Sequence, residues 1–262
     1  MSVGLIKSET ELALMREAGR LLAQVFSMLD GLVTAGLSTL ELDRRVETFI
    51  RQELLARPAS KGQYDYPYSI NTSINEVVCH GMPDARAILH DGDIVNIDIT
   101  LEKNGFIADS SKMYLIGAVS PKARRLVDKT FEALWEGIRV VRPGARLGDI
   151  GHAIQKHAEG NGYSVVREYC GHGIGRQMHE EPQVLHFGRP GTGLVLREGM
   201  VFTIEPMLNQ GSPRTRGLKD GWTVVTRDGS LSAQWEHTVA VTRDGFEVLT
   251  LQPELQDCPT PQ

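Results

Sequence analysis

Four carboxylates stand inside apolar runs of this sequence. Asp98 follows Ile94-Val95-Asn96-Ile97, and Asp109 follows Phe106-Ile107-Ala108. Glu205 follows Met200-Val201-Phe202-Thr203-Ile204, and Glu236 lies between Trp235 and His237, ahead of Val239-Ala240-Val241. Apolar runs of this length read as buried strands. A carboxylate leaves water at a cost unless it is paired or bound to a metal. Singly, each acid reads as a solvated strand residue or half of an ion pair. Four together, in segments with few basic residues, point to a bound cation.

Three histidines extend the set. His172 stands among glycines in Gly171-His172-Gly173-Ile174-Gly175, where the backbone can approach a neighbour closely. His179 follows seven residues on, before Glu180-Glu181-Pro182, and His80 lies in Cys79-His80-Gly81-Met82-Pro83. His90, His152, His157, His186 and His237 read as surface or satisfied core residues. One imidazole and four carboxylates suit two divalent ions such as Mn, Fe or Co better than a structural zinc. Such a pair can activate water and polarise a carbonyl or phosphoryl group, which leaves peptide and phosphate hydrolysis both open.

These residues need strands to carry them and helices to cover the strands. Period-two patterns predict strands over 94–101, 106–116, 200–207, 223–226, 234–241 and 247–249, with hairpin chemistry at Lys103-Asn104-Gly105. Helices are predicted after the capping boxes at Ser8 and Ser38, after Ser120-Pro121, and from about Leu147 to Glu159. Gly92-Asp93-Ile94-Val95-Asn96-Ile97-Asp98 resembles Gly199-Met200-Val201-Phe202-Thr203-Ile204-Glu205, and the turn at Gly36 resembles that at Gly144. The repeat predicts one domain over 1–262, of class α+β, with two related halves (about 12–118 and 119–251) and a short Pro-rich tail over 252–262. Each half holds a pair of helices followed by antiparallel strands of one continuous sheet. Asp98 and Glu205 then face each other across a pseudo-two-fold axis, and His80 and His179 are counterparts.

Composition narrows the class. Lys and Arg number 28 against 33 acidic residues, a net charge of −5, which argues against a protein that coats nucleic acid. No apolar run approaches the roughly 18 residues of a membrane span. Three cysteines (Cys79, Cys170, Cys258) without a C-x-x-C pair predict no disulfide framework and a reducing, cytoplasmic setting.

Asp98, Asp109, Gly171-His172-Gly173-Ile174-Gly175, Phe202-Thr203-Ile204-Glu205-Pro206 and Glu236-His237-Thr238 together resemble the methionine aminopeptidase family, from the first helix to about Leu251. The short connection from His179 to Glu205 and the lack of an N-terminal Cys/His extension resemble its bacterial type I members. The resemblance implies the duplicated pita-bread fold, two divalent ions (Co, Mn, Fe or Zn), and removal of an N-terminal methionine followed by a small residue. By the same resemblance Asp98 binds one ion, His172 and Glu205 the other, and Asp109 and Glu236 bridge them. Glu205 also accepts and shuttles a proton, His179 hydrogen-bonds the scissile carbonyl, and His80 contacts the leaving-group side. A methionine pocket is expected from Tyr64, Tyr66 and Trp222, with Met178 able to line it too, and Tyr64 reads equally as plain core packing; Gln177-Met178 depart from the family's small-aromatic pair, and Ser60 and Asn71 stand where many members carry cysteine.

The implied partners are N-terminal Met peptides and nascent chains, with no DNA, no membrane and a monomeric state. The basic loop Ser212–Lys219 reads as a solvated loop or as a weak contact to ribosomal RNA. Met1-Ser2 has the form of a substrate of this reaction. The alternatives are an X-Pro aminopeptidase or prolidase with the same ligand set, and a non-enzymatic binding protein of the same fold.

Overall fold

Ser8 opens α1 (Glu9–Asp30) with the predicted capping box: the Glu11 N–H donates to Ser8 Oγ at 3.3 Å, and Glu11 Oε2 accepts the Ser8 N–H at 3.0 Å. Ser38 caps α2 (Thr39–Thr48), which runs on into a π-helical turn, Phe49–Glu53, that the hydrophobic period does not signal. Ser120 and Pro121 start α3 (Pro121–Arg139), and α4 spans Leu147–Gly160, with Asp149 accepting the Arg146 N–H at 2.7 Å. The structure is a computed structural model that describes residues 4–252. The Pro-rich tail beyond Gln252, Cys258 and the Met1-Ser2 start lie outside the described residues.

The strands Ile94–Lys103 and Phe106–Leu115 pair along their whole length. Asn104 and Gly105 join them at φ 53° and 79°, the left-handed pair that a two-residue hairpin turn requires. Ile70–Ile74 pairs with the other edge of Ile94–Lys103, and Arg57–Pro58 completes a four-stranded antiparallel sheet. Ile97, Ile99 and Leu101 pack in one core with Leu22, Phe26 and Leu42 of α1 and α2. A five-stranded antiparallel sheet runs in the order Phe246–Val248, His237–Val241, Val201–Ile204, Gly171–Gly173, Glu180–Val184. Phe202, Ile204 and Val239 of this sheet share a second core with Leu134 and Ile138 of α3 and Ile150 and Ile154 of α4. The α+β class and the two helix pairs agree with the expectation.

The expected single continuous sheet is instead four pieces, two of them three-stranded: Ser232–Gln234 with Met207–Asn209 and Ser164–Val165, and Thr215–Gly217 with Val224–Thr226 and Val77–Cys79. The predicted strand over 200–207 stops at Ile204 and resumes at Met207, because Pro206 brings no N–H to a ladder. The predicted strand over 234–241 likewise breaks between Gln234 and His237. Both breaks fall on a candidate ligand, Glu205 and Glu236, and release it from strict alternation. The sheets meet at the isolated bridge between Ser111 and Glu236, reinforced where Thr238 Oγ1 donates to the Asp109 carbonyl at 2.7 Å.

Candidate metal centre

Asp98 and Asp109 sit on the paired hairpin strands. Thr100 lies directly opposite Asp109, so Asp98, two residues earlier, shares its face. His172 comes from the short Gly171–Gly173 strand, and its flanking glycines have a steric cause. A Cβ on Gly171 would stand 2.3 Å from the Thr203 carbonyl oxygen, and one on Gly173 would stand 2.1 Å from that of Glu181. Only glycine lets the strand slot between its neighbours and present the imidazole. Ligand atoms of Asp109, His172 and Glu236 lie within 4.8 Å of one another. His172 Nε2 is 3.6 Å from Glu205 Oε1 and 3.9 Å from Asp109 Oδ2. All five predicted ligands line one cavity of about 560 Å³.

The chemistry of this donor set fits a divalent cation. His172 Nδ1 lies 3.0 Å from the Gly173 carbonyl, which can only accept, so the ring proton sits on Nδ1 and the Nε2 lone pair faces the carboxylates. Asp109, Glu205 and Glu236 are 6%, 9% and 2% exposed, and among the described residues none of the four acids pairs with Lys or Arg. Asp109 Oδ1 is buried without a partner. Burial pushes the Asp98 carboxyl up to about 7 and that of Glu205 up to about 8. Asp109 and Glu236 are raised well above the carboxylate range, by burial first and then by the neighbouring acids. Burial pushes His172 down to about 4, keeping it the neutral imidazole a metal requires.

Sequence reasoning missed the groups that aim these ligands. Thr203 Oγ1 donates to Glu205 Oε1 at 2.8 Å, and Gln234 Nε2 to Glu205 Oε2 at 3.3 Å. The Glu205 N–H donates to Nε2 of His186, a buried and satisfied histidine as expected, but one that fixes the backbone of a candidate ligand. Asn71 Nδ2 donates to Asp98 Oδ2 at 3.4 Å. Asn71 and Asp98 are register partners, a relation visible only once the strands pair.

His80 and His179 both reach the same cavity. His80 sits at φ 55°, in the left-handed region, with its ring edge-on to Tyr169 at 5.6 Å. The His179 ring lies 4.4 Å from that of His172. Burial lowers the pKa of both His80 and His179. Tyr66, Met178 and Trp222 line the cavity too. Tyr66 is buried, its hydroxyl donates to the Ile70 carbonyl at 2.9 Å, and its ring meets Trp222 at 4.9 Å. Met178 is buried against Ala59 and Ile107, whereas Gln177 is exposed and leaves the wall to Met178.

Residues 13–243 match metallopeptidase family M24. The chain belongs to that family. This M24 chain is 54% identical over 249 residues to the methionine aminopeptidase of Salmonella typhimurium, covering 95% of this chain and 94% of that protein. Its structure superposes on the crystal structure of methionine aminopeptidase from Rickettsia prowazekii with a TM-score of 0.92 at 51% identity, covering 94% and 99% of the two chains. The sequence-based likeness to that family is thus borne out. A prolidase from Pyrococcus furiosus, at 22% identity and TM-score 0.73, shares the fold alone. M24 membership makes the chain a metal-dependent hydrolase. Among the described residues no helix is long and apolar enough to cross a membrane.

Proposed function

We propose that this chain removes the N-terminal methionine of peptides and nascent proteins whose second residue is small, by hydrolysis of the first peptide bond. The observation that carries the reading is the convergence of a buried His-and-carboxylate set with an apolar wall of Met178, Tyr66 and Trp222 in one cavity. The likeness to proteins named methionine aminopeptidase supports it.

Asp98, Asp109, His172, Glu205 and Glu236 would hold two divalent ions, Co, Mn, Fe or Zn. Ions there supply Lewis acidity toward the scissile carbonyl and lower the pKa of water. The chain's own residues do the rest. Tyr66, Met178 and Trp222 receive the methionine side chain. By the family resemblance the substrate's free amine would approach the ion held by Asp98, and that requirement makes the enzyme an exopeptidase. His179 donates to the scissile carbonyl and to the oxyanion that develops on it, an electrostatic role that can be worth several kcal/mol. Glu205, held by Thr203 and Gln234, takes a proton from water and passes it to the leaving nitrogen. His80 contacts the peptide on that leaving side.

The test uses peptides beginning Met-Ala, Met-Leu and Ala-Pro, after EDTA stripping and add-back of Mn or Co. Metal-dependent release of methionine from the first alone is expected. Release of alanine from Ala-Pro would move the chain to proline-directed hydrolysis, and no release from any would favour a binding protein of the same fold.

A monomeric, cytoplasmic enzyme with no DNA or membrane partner is in keeping with the reading, as is a weak ribosome contact through the exposed Arg214 and Arg216. Charge reversal of both should lower co-sedimentation with ribosomes at low salt, and unchanged co-sedimentation would remove that contact.

A further inference from the structure

The segment 62–65 carries an unusual backbone. Gly62, Tyr64 and Asp65 have φ of 87°, 49° and 66°. Glycine takes this region freely, but tyrosine and aspartate do so only when their surroundings hold them there. The surroundings do. The Gly62 N–H donates to the Tyr66 carbonyl at 2.8 Å, the Gln63 N–H to that of Ser60 at 3.0 Å, and the Tyr66 N–H to that of Gln63 at 2.9 Å. Tyr66 is in turn tied to Ile70 through its hydroxyl. This knot turns the Tyr64 side chain away from the core, 65% exposed, and lays it over His179. The two rings are 14° from parallel with centroids 5.8 Å apart, and Tyr64 Oη lies 3.2 Å from His179 Nδ1. Among the described residues no other hydrogen bond to the His179 ring is found.

We propose that Tyr64 is a positioning residue: its hydroxyl donates to His179 Nδ1 and thereby keeps the ring proton on Nε2, the nitrogen left to donate to the substrate carbonyl. The inference rests on the role given to His179 above. A neutral imidazole carries one N–H, and which nitrogen bears it is set by the partner of the other. If Nδ1 donated to the phenol instead, Nε2 would hold only a lone pair and would repel a carbonyl oxygen. The stacked ring limits rotation of the imidazole on one side, and the His172 ring, edge-on at an interplanar angle of 78°, limits it on the other.

The experiment compares the zinc-loaded wild-type protein with Tyr64→Phe, which keeps the stacked ring and loses only the hydroxyl. Histidine is labelled with nitrogen-15, and the His179 ring signals are assigned by their absence in His179→Ala. Wild type should show the Nε2–H tautomer, and Tyr64→Phe a shift toward the Nδ1–H form. Release of methionine from a Met-Ala peptide should fall in kcat by about three- to tenfold, the span of one net hydrogen bond, with KM changed less than twofold. An Nδ1–H tautomer in wild type, or identical ring signals in both proteins, would overturn the proposal. Undiminished turnover by His179→Ala would instead overturn the role of His179, an outcome distinct from any change in the ring signals.

Discussion

His172 Nε2 faces Glu205 Oε1 at 3.6 Å, lone pair to lone pair. The Gly173 carbonyl has already claimed the ring proton through Nδ1. Only a proton or a metal ion between these atoms makes the approach favourable. The same holds around the cavity, where Asp109 and Glu236 are both raised in pKa by burial and by neighbouring acids. A divalent ion held here would compete with protons for one set of oxygens.

A pH dependence follows for the metal-free protein. The folded carboxyls of Asp98 and Glu205 titrate near 7 and 8. In the unfolded chain they titrate at about 3.9 and 4.3. The folded state thus holds protons that the unfolded chain has released. This stability is fully present below about pH 4 and is lost as pH rises through 7 to 8. In EDTA, the urea midpoint at pH 8.5 should lie below that at pH 6, corresponding to ~1 kcal/mol or more. Saturating Mn should remove or reverse the difference, because the ion binds the deprotonated ligands. A metal-free midpoint that rises with pH would contradict the competition.

Removing a ligand charge should separate stability from activity. Asp109→Asn takes away a buried acid with an unpartnered oxygen. In EDTA the variant should be at least as resistant to urea as wild type, since an uncompensated buried group is gone. Its added stability on Mn binding should shrink, and methionine release should fall by more than the about ten- to hundredfold that losing a group behind a ligand costs. Asp98→Asn and Glu236→Gln should behave alike. Metal-dependent turnover that survives Glu236→Gln would remove Glu236 from the ligand set.

Thr203 offers a finer test, since its hydroxyl touches Glu205 Oε1 at 2.8 Å and not the cavity's substrate wall. Thr203→Val keeps the shape and deletes both the donor to Glu205 and the acceptor of the His172 N–H, which lies 2.9 Å from Oγ1. Metal affinity should fall by about ten- to a hundredfold, as for other groups that orient a ligand. Thr203→Ser should restore most of it. Equal affinities for Val and Ser at this position, measured by calorimetry with Mn, would make the hydroxyl irrelevant to the ligand.

Much of this site was legible before the strands were paired. The acids Asp98 and Asp109 announce themselves because an apolar run makes a carboxylate expensive, and the hairpin between them is written in Asn104-Gly105. His172 is marked by glycines whose absent side chains the neighbouring carbonyls at Thr203 and Glu181 demand. The break at Glu205 was signalled by Pro206, which the predicted strand over 200–207 runs through, whereas no residue of the sequence signals the break at Glu236, where only three-dimensional pairing ends the ladder. Nor were the long-range contacts. Tyr64 and His179 are 115 residues apart, and His186 reaches the Glu205 backbone from another strand's end. Local periodicity contains no term for such meetings.

Met178 lines the cavity and packs in the core, so if the cavity wall receives the substrate, one substitution should move two observables. Its side chain is 8% exposed and packs with Ala59, Ile107 and Ile174 behind the cavity. Met178→Ala should cost ~2–5 kcal/mol of stability by leaving a void. It should also raise KM for a Met-Ala peptide severalfold with a smaller change in kcat, because the lost contact is made equally in the bound and transition states. Met178→Leu conserves volume and should cost less than about 1.5 kcal/mol. If Leu restores stability but KM stays high, the thioether itself contacts the substrate side chain. If Ala leaves KM unchanged, Tyr66 and Trp222 alone form the pocket, and Met178 belongs to the core.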